Sequence, residues 1–290
     1  MTDRAAAGKL AGVINQIPKD QPSTGPIPPT AVPPSARRFG FREGDIGTHT
    51  SRTIMLEELH GVLAQLPPEA DRADYTEAIV DHNALGKQTE ATRRLTDQRL
   101  GELYALDIRV PLFRVLRQLW SLDAQAQPQL AMLCALARDP LLRATASPVL
   151  SMRPEQELAR QAMTDALRAT VGERLSDSTL DKVVRNTSSS WAQSGHLEGR
   201  TRKFRRVVAA RPASTTYALI LGYLLGLRGQ RLLRSLWSSA LDASPDQLQA
   251  HAAAAKRQGL LDMKVSGDVV EIHFPQLLTA AERTESRGTD

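Results

Sequence analysis

The sequence predicts a mainly α-helical fold in which a helical N-terminal domain is followed by tandem winged-helix-like units with small β-hairpin wings. Three observations support this fold class. Apolar residues recur at helical spacing along most of the chain after residue 50. Prolines, glycines and capping residues divide these stretches into short helices with short connections. In two places a strand-like stretch follows a pair of predicted helices, which is the order of a winged-helix domain.

Length, composition and cysteine usage limit the class of protein. The chain has 290 residues, of which 41% are hydrophobic, enough for one large domain or two to three small ones. The single cysteine, Cys134, excludes an internal disulfide and lies in an apolar helical run, so we expect it in the core. No signal peptide is evident, and the longest apolar run, residues 217–227, is shorter than the ~20 residues that span a bilayer. We therefore expect a cytoplasmic protein without a membrane segment.

Residues 1–48 are predicted to form a disordered, proline-rich arm. Residues 17–36 alone contain seven prolines, with Ser, Thr and Gly between them, and this composition cannot build a core. Residues 49–150 are predicted to form an all-helical domain whose first helix is ended by Pro67 and Pro68. Its other helices are predicted at residues 70–83, 89–105, 111–122 and 128–137.

A winged-helix-like basic unit is predicted at residues 151–212. Its main helix starts near Ser178, which can cap the helix and has Asp181 three residues later, as in a capping box. This helix is predicted to end at about Ser194, because Gly195 can supply the left-handed residue at the C-terminus.

A second winged-helix-like unit is predicted at residues 213–290. Ser244 and Gln247 mark the start of its last long helix, which Gly259 ends. A β-hairpin then turns at residues 266–268. Earlier helices are predicted at residues 217–227 and 230–241, and the hairpin is predicted to place Val270, Ile272 and Phe274 on one side.

The excess positive charge is confined to one segment. The formal net charge is +5 and the isoelectric point is about 9.6. Residues 176–211 hold eight Lys or Arg against three Asp or Glu, so the rest of the chain, with 29 of each sign, is neutral. A local basic patch of this kind is the footprint expected for a polyanionic partner.

The predicted helix at residues 177–194 is amphipathic. Trp191 lies on its apolar stripe, so we interpret it as a core anchor, with a base-stacking platform as the alternative. The opposite face has no acid and no large apolar group, and it suits phosphates and base edges. The residues predicted to bind nucleic acid on this face are Lys182, Arg185, Asn186, Ser189 and Gln193.

A basic ribbon follows this helix after a turn bracketed by Gly195 and Gly199. A winged helix can insert its helix into a major groove about 12 Å wide while such a ribbon holds phosphate. A solvated run of surface charge is the alternative, but the near absence of acids favours the nucleic-acid interpretation. The ribbon residues predicted to bind nucleic acid are Arg200, Arg202, Lys203, Arg205 and Arg206.

A weaker basic feature lies at the start of a helix in the N-terminal domain. Lys87, Arg93 and Arg94 are predicted to contact nucleic acid there, because a helix start can hold a phosphate. Glu90 and Asp97 dilute this charge, so a plain amphipathic helix is an equal alternative.

No constellation of catalytic residues is recognisable in the sequence. The six histidines lack metal-binding spacing, one cysteine excludes Cys-rich zinc sites, and no phosphate-binding loop is present. Ser194 and His196 share a turn, and their spacing is not expected to deliver a base to a nucleophile. We therefore expect no enzyme activity, no metal and no cofactor, with a hydrolase or nuclease as a remote alternative.

From about residue 75 to residue 278 the sequence resembles the BrxA family of bacteriophage-exclusion (BREX) defence systems. The stretches that carry the resemblance are "YTEAIVDHNALGKQTEATRRLTDQRLGELYAL", "PLFRVLRQLW", "LCALARDPLLRATASPVL" and "NTSSSWAQSGHL". The resemblance implies a helical, non-enzymatic component that accompanies a methyltransferase, an ATPase and a phosphatase-like protein. The family has been likened to NusB-type RNA-binding antiterminators and is associated with DNA binding. The implied contact surface covers residues 186–206 and 87–94, whereas the proline-rich arm departs from the usual shorter form.

Two functions follow from these observations. The first is a DNA-binding accessory protein of a phage-defence complex, with the middle winged unit contacting duplex DNA. The second is a NusB-like RNA-binding protein, or an interaction scaffold for other proteins of the defence system.

Overall fold

The computed structural model describes residues 32–267 and 269–287, and its fold is mainly helical, as the sequence predicts. The chain first forms two short 3₁₀ turns, Pro34–Phe39 and Thr48–Thr50, and a π turn, Glu77–Asp81, continues the second helix. The first helices are α1 (Leu56–Gln65), α2 (Arg72–Thr76), α3 (Glu90–Tyr104), α4 (Pro111–Trp120), α5 (Gln127–Arg138), α6 (Pro140–Ala144) and α7 (Ala146–Leu150).

Helices followed by a short hairpin then occur twice in succession, as the sequence predicts, with two helices in the first set and four in the second. The first set comprises α8 (Arg160–Val171), α9 (Asp177–Gln193), β1 (Leu197–Glu198) and β2 (Phe204–Arg205). The second comprises α10 (Pro212–Leu224), α11 (Gln230–Leu233), α12 (Leu236–Ser239), α13 (Pro245–Arg257), β3 (Asp262–Ser266) and β4 (Val269–His273), with α14 (Ala280–Glu285) after it.

The core is built around α5, which contacts α3, α4 and α10 and is buried at every residue except Pro128. Cys134 lies there with no exposed surface, as predicted, and burial raises the pKa of its thiol to about 11, which keeps it unreactive. Buried apolar side chains from Val32 to Leu278 belong to one contiguous cluster. The boundaries drawn at residues 150/151 and 212/213 stay predictions.

The proline-rich arm was predicted to extend to residue 48, and for residues 32–48 this is wrong. Phe39 and Phe41 are buried in the common core, and the carbonyl of Gly40 accepts a hydrogen bond from the Arg138 guanidinium. Local composition does not reveal this order, because the residues that offset the entropy cost of ordering the segment lie elsewhere in the chain, such as Arg138. The rest of the predicted arm, residues 1–31, lies outside the described residues.

The first wing is larger than its hairpin alone. β1 and β2 pair antiparallel, and residues 155–158 add hydrogen bonds along the other edge of β2. The amide of Arg205 donates to the Gln156 carbonyl at 2.9 Å, and that of Leu158 donates to the Lys203 carbonyl at 2.8 Å. A strand-like segment before α8 therefore completes a three-stranded wing, which fixes the wing beside α9.

The helix-capping residue predicted from the sequence is correct for α13 and wrong for α9. The capping box of Ser244 and Gln247 at the start of α13 is confirmed. At α9 the cap is Ser176, whose hydroxyl accepts from the Thr179 amide, and not the predicted Ser178. Both serines fit the sequence signal, and only the direction in which the chain enters the helix distinguishes them.

The second unit differs from its prediction in two places. The buried helix α10 starts five residues earlier than expected, with Pro212 in its first turn. The predicted helix at residues 230–241 is two short helices, because the Ser235 hydroxyl accepts from the Ser238 amide and starts α12 afresh. The β3–β4 hairpin is confirmed, with Val270, Ile272 and Phe274 buried on the core side.

Within the described residues, no helix combines the length and the apolar character that a membrane span requires.

Candidate nucleic-acid interface

A strap, residues 47–56, lies along one side of α9. His49 is fully buried and joins two elements: its Nδ1 lies 2.8 Å from Asp139 Oδ2 and its Nε2 lies 2.8 Å from Ser190 Oγ. The Ile54 amide also donates to Ser190 Oγ, at 3.0 Å. Asp139 in turn accepts from the first amides of α6. The strap is therefore part of the folded structure along the C-terminal half of α9.

The strap uses two side chains that were predicted to face nucleic acid. The Asn186 amide donates to the His49 carbonyl at 2.8 Å, and the Gln193 amide donates to Thr53 Oγ1 at 3.0 Å. Gln193 Oε1 accepts from the Leu56 amide at 3.4 Å. Both amides therefore already have partners in the strap, although Gln193 remains exposed and Asn186 is half-buried. The partners lie at the start of the predicted helical domain, where no sequence signal indicates a contact with α9.

Ser190, His49 and Asp139 are linked in the order of a nucleophile, a base and an acid. Each is at most 1% exposed, so the hydroxyl has no path to a substrate in this arrangement. Burial opposes ionisation of Asp139, but the nearby His49 and the backbone amides lower the pKa of the carboxyl below its ordinary value. The role of these three residues is structural: their hydrogen bonds hold the strap against α9 and α6.

Ser194 and His196 are also joined, which their spacing in the sequence did not predict. The Ala240 carbonyl can only accept, so His196 Nε2 donates to it at 2.8 Å and Nδ1 accepts from Ser194 Oγ at 2.8 Å. Both residues are fully buried, and the imidazole packs edge-on against the Trp191 ring with 4.9 Å between centroids. This pair is therefore a packed core contact, out of reach of a substrate.

His196 makes the stability of the fold depend on pH. Burial, aided by the nearby Arg205 and opposed by Asp242, lowers the pKa of His196 to about 4 from an ordinary value near 6.5. As the pH falls from 6.5 to 4, the unfolded chain gains this proton and the folded protein does not. The free energy of unfolding should therefore fall across this window by roughly 3 kcal/mol, at 1.36 kcal/mol per unit of pKa difference.

Urea unfolding at pH 7, 5.5 and 4.5 measures this loss. The control is His196→Gln, which keeps a hydrogen-bonding side chain that does not titrate, so its stability should change less with pH. The same pH dependence in both proteins would contradict the assignment to His196.

Arg205 is a structural residue, and its predicted contact with nucleic acid is wrong. Its guanidinium forms an ion pair with Asp242 in which both side chains are at most 4% exposed, and it donates to the Val149 carbonyl at 3.1 Å. Asp242 Oδ2 also accepts from the Val208 amide at 3.0 Å. The Arg205–Asp242 ion pair links β2 to the second unit, and the guanidinium has almost no exposed surface that could contact a ligand.

Two other ribbon cations are exposed but are offset by acids. Arg202 forms a two-pronged ion pair with Glu157, and Arg206 bridges Glu155 and Glu198. Exposed pairs of this kind contribute little to stability and exchange readily, so these two side chains add less net charge than the sequence indicates.

The weaker patch in the N-terminal domain is also paired internally. Lys87 lies 3.0 Å from Glu58, Arg94 pairs with Glu90 four residues earlier, and Arg93 donates to the Val80 carbonyl at 2.6 Å. None of the three lines the groove between α9 and the first wing. The structure therefore favours the amphipathic-helix alternative for this segment.

A groove of about 480 Å³ separates α9 from the first wing. Leu158 and Val184 form apolar parts of its wall, and Ser188 and Ser189 add polar groups from α9. Of the predicted residues, it brings together Arg185, Ser189, Arg200, Arg202 and Lys203. Lys182 is exposed on α9, three residues before Arg185.

Four of these cations form no ion pair with any residue that the structure describes: Lys182, Arg185, Arg200 and Lys203. Lys182, Arg185 and Arg200 are exposed, and the nearest acid on α9, Asp181, is bound to Arg160 at 2.8 Å. Lys203 is half-buried and donates to the Gly199 carbonyl at 3.0 Å, and burial lowers the pKa of its ammonium group. One acid, Glu157, also lines the groove and pairs with Arg202, so the groove holds positive charge that the described residues neutralise only in part.

Sequence reasoning missed Arg160 and Ser188, which also line this groove. Ser188 lies on α9 but outside the face that was predicted to bind nucleic acid, and its hydroxyl donates to the Val184 carbonyl at 2.6 Å. Arg160 begins α8, and no sequence signal indicates that it lies near Arg185, which follows it by 25 residues.

The fold and the groove together define a class: a helical protein with two winged-helix-like units, the first of which carries an open basic groove. A comparison with known protein families finds no match for this chain, and a search of curated proteins finds none either.

Proposed function

We propose that this protein is a non-enzymatic nucleic-acid-binding protein and that double-stranded DNA binds at the groove between α9 and the first wing. The observation that carries the proposal is a set of four cations that form no ion pair with the described residues: Arg185, Arg200 and Lys203 line one groove, and Lys182 is exposed on α9 three residues before Arg185. Phosphates attract such cations, and each contact releases counterions from DNA. The resemblance of residues 75–278 to the BrxA family supports a role as an accessory protein of a BREX-type defence system, where other proteins of that system are its partners.

The test is fluorescence anisotropy with labelled duplex DNA, single-stranded DNA and matched RNA over a salt series. We expect duplex binding with a dissociation constant of about 10⁻⁴–10⁻⁶ M or tighter near physiological salt. Four phosphate contacts predict that the logarithm of the affinity falls with the logarithm of the salt concentration with a slope of about −3.6, at about −0.9 per contact.

The groove variant changes Lys182, Arg185, Arg200 and Lys203 to Ala and leaves the buried Arg205 in place. It should bind duplex DNA about 100-fold more weakly, at about 0.7 kcal/mol per contact, within the range of exposed ion pairs. Its melting temperature should change little, because these side chains form no ion pairs in the described structure.

The matched control variant removes the same amount of charge from the second unit by changing four exposed cations to Ala: Arg231, Arg234, Arg257 and Lys264. It should keep most of the affinity. Equal losses in the two variants would show an effect of net charge alone and would contradict a site at the groove. Tighter binding of RNA than of duplex DNA would favour the NusB-like alternative, and the absence of any nucleic-acid binding would favour a protein scaffold.

A further inference from the structure

The side chains on α9 that are best suited to reading bases are already occupied. Asn and Gln can form paired hydrogen bonds with adenine because each carries a donor and an acceptor. Asn186 and Gln193 are the only such residues on the predicted reading face, and both bind the strap. A base edge would have to displace these bonds before it could use either amide.

The strap also limits how far α9 can enter DNA. A helix with its side chains is about 10–12 Å wide, which already fills a major groove of about 12 Å. The strap packs along α9 through Ser190, and the wing stands beside it at the groove. With the strap and the wing both packed against it, α9 has less room to enter a groove that the helix alone would fill, so we expect the cations to meet the phosphates from outside the duplex.

We infer that the groove binds the phosphodiester backbone of a duplex without reading its base sequence. This inference rests on the proposed function. The four cations without ion pairs among the described residues suit this mode, because phosphate contacts position a protein on DNA and carry no direct sequence information. Of these residues, Arg200 is exposed in the turn between β1 and β2, so it is the one whose contribution is best tested singly.

The test compares duplexes of one length, one built of A·T pairs, one rich in G·C pairs and one of mixed sequence, at a single salt concentration. We expect dissociation constants within about twofold of one another, because backbone contacts are shared by all sequences. Heparin, a polyanion without bases, should compete for the same site. A preference of about 10-fold or more, the scale of one direct base contact, would overturn the inference.

Two single variants test whether Gln193 or Arg200 reads the base sequence. Gln193→Ala should leave the affinities for the three duplexes unchanged, because its amide bonds the strap. Arg200→Ala should weaken binding to all three by the same factor. A sequence preference in the wild type that either variant abolishes would overturn the inference and identify a base-reading residue.

The outcomes separate the inference from the proposed function. Equal affinities that the groove variant loses support both. A strong sequence preference that the groove variant loses supports DNA binding at the groove and overturns backbone recognition. Binding to none of the duplexes contradicts the proposed function and the inference with it.

Discussion

Changing Asp242 to Asn should lower the free energy of unfolding by about 3–5 kcal/mol, because it leaves the buried Arg205 guanidinium without its counter-charge. The remaining partners of this guanidinium are carbonyl oxygens, such as those of Val149 and His196, which cannot supply a full negative charge. Urea unfolding of wild type and variant at pH 7 measures the difference.

Two controls separate a buried charge from a general loss of packing. The double change Arg205→Met with Asp242→Asn removes both charges and should recover much of the loss, since the buried guanidinium is gone and Asn tolerates the positive φ of 51° at position 242. Removing the exposed pair of Arg94 and Glu90 should change the free energy of unfolding far less, because solvent screens it. If Asp242→Asn cost no more than this exposed pair, the ion pair would not hold the wing in the way described.

Trp191→Ala should also lower the free energy of unfolding by about 3–5 kcal/mol, the usual cost of removing a large aromatic side chain from a core. Trp191 has no exposed surface, and its Nε1 donates to Thr145 Oγ1 at 2.8 Å. It also contacts the His196 ring, so the cavity would open between α9, α7 and the first wing. This position confirms the core interpretation of Trp191.

Thermal and urea unfolding measure the effect, with Trp191→Phe as the control. Phe keeps most of the apolar volume and loses the hydrogen bond to Thr145, so it should cost about 1 kcal/mol from that bond plus a smaller cavity term. A Trp191→Ala protein with unchanged stability and weakened DNA binding would instead support the base-stacking alternative.

The sequence predicted those elements whose signals are local. The start of α13 was predicted because a serine, a proline and a glutamine satisfy the first amides of one helix. The β3–β4 turn was predicted from the Ser-Gly-Asp sequence at residues 266–268. Gly267 there adopts a positive φ of 58°, which glycine tolerates best. The split between α11 and α12 was missed, because residues 230–241 carry a continuous helical pattern and only Ser235 caps a new helix within it.

The basic surface was predicted as a composition, but not as a set of free charges. The excess of cations at residues 176–211 is visible in the sequence, whereas their partners come from elsewhere in the chain. Arg205 meets Asp242 from the second unit, and Arg202 meets Glu157 from the segment before α8. Distances between such residues depend on how the units pack, which local patterns do not encode.

The sequence by itself determined the helical class, the order of helices and hairpins, the burial of Trp191 and Cys134, and the position of the positive charge. These follow from periodicity, turn residues and local composition, which act over a few residues. Only the tertiary structure decided that residues 32–56 are folded and cover part of α9, and which cations remain unpaired. Those outcomes depend on contacts between residues about 40 to 140 positions apart, such as that of His49 with Ser190, and such contacts form only when the whole core assembles.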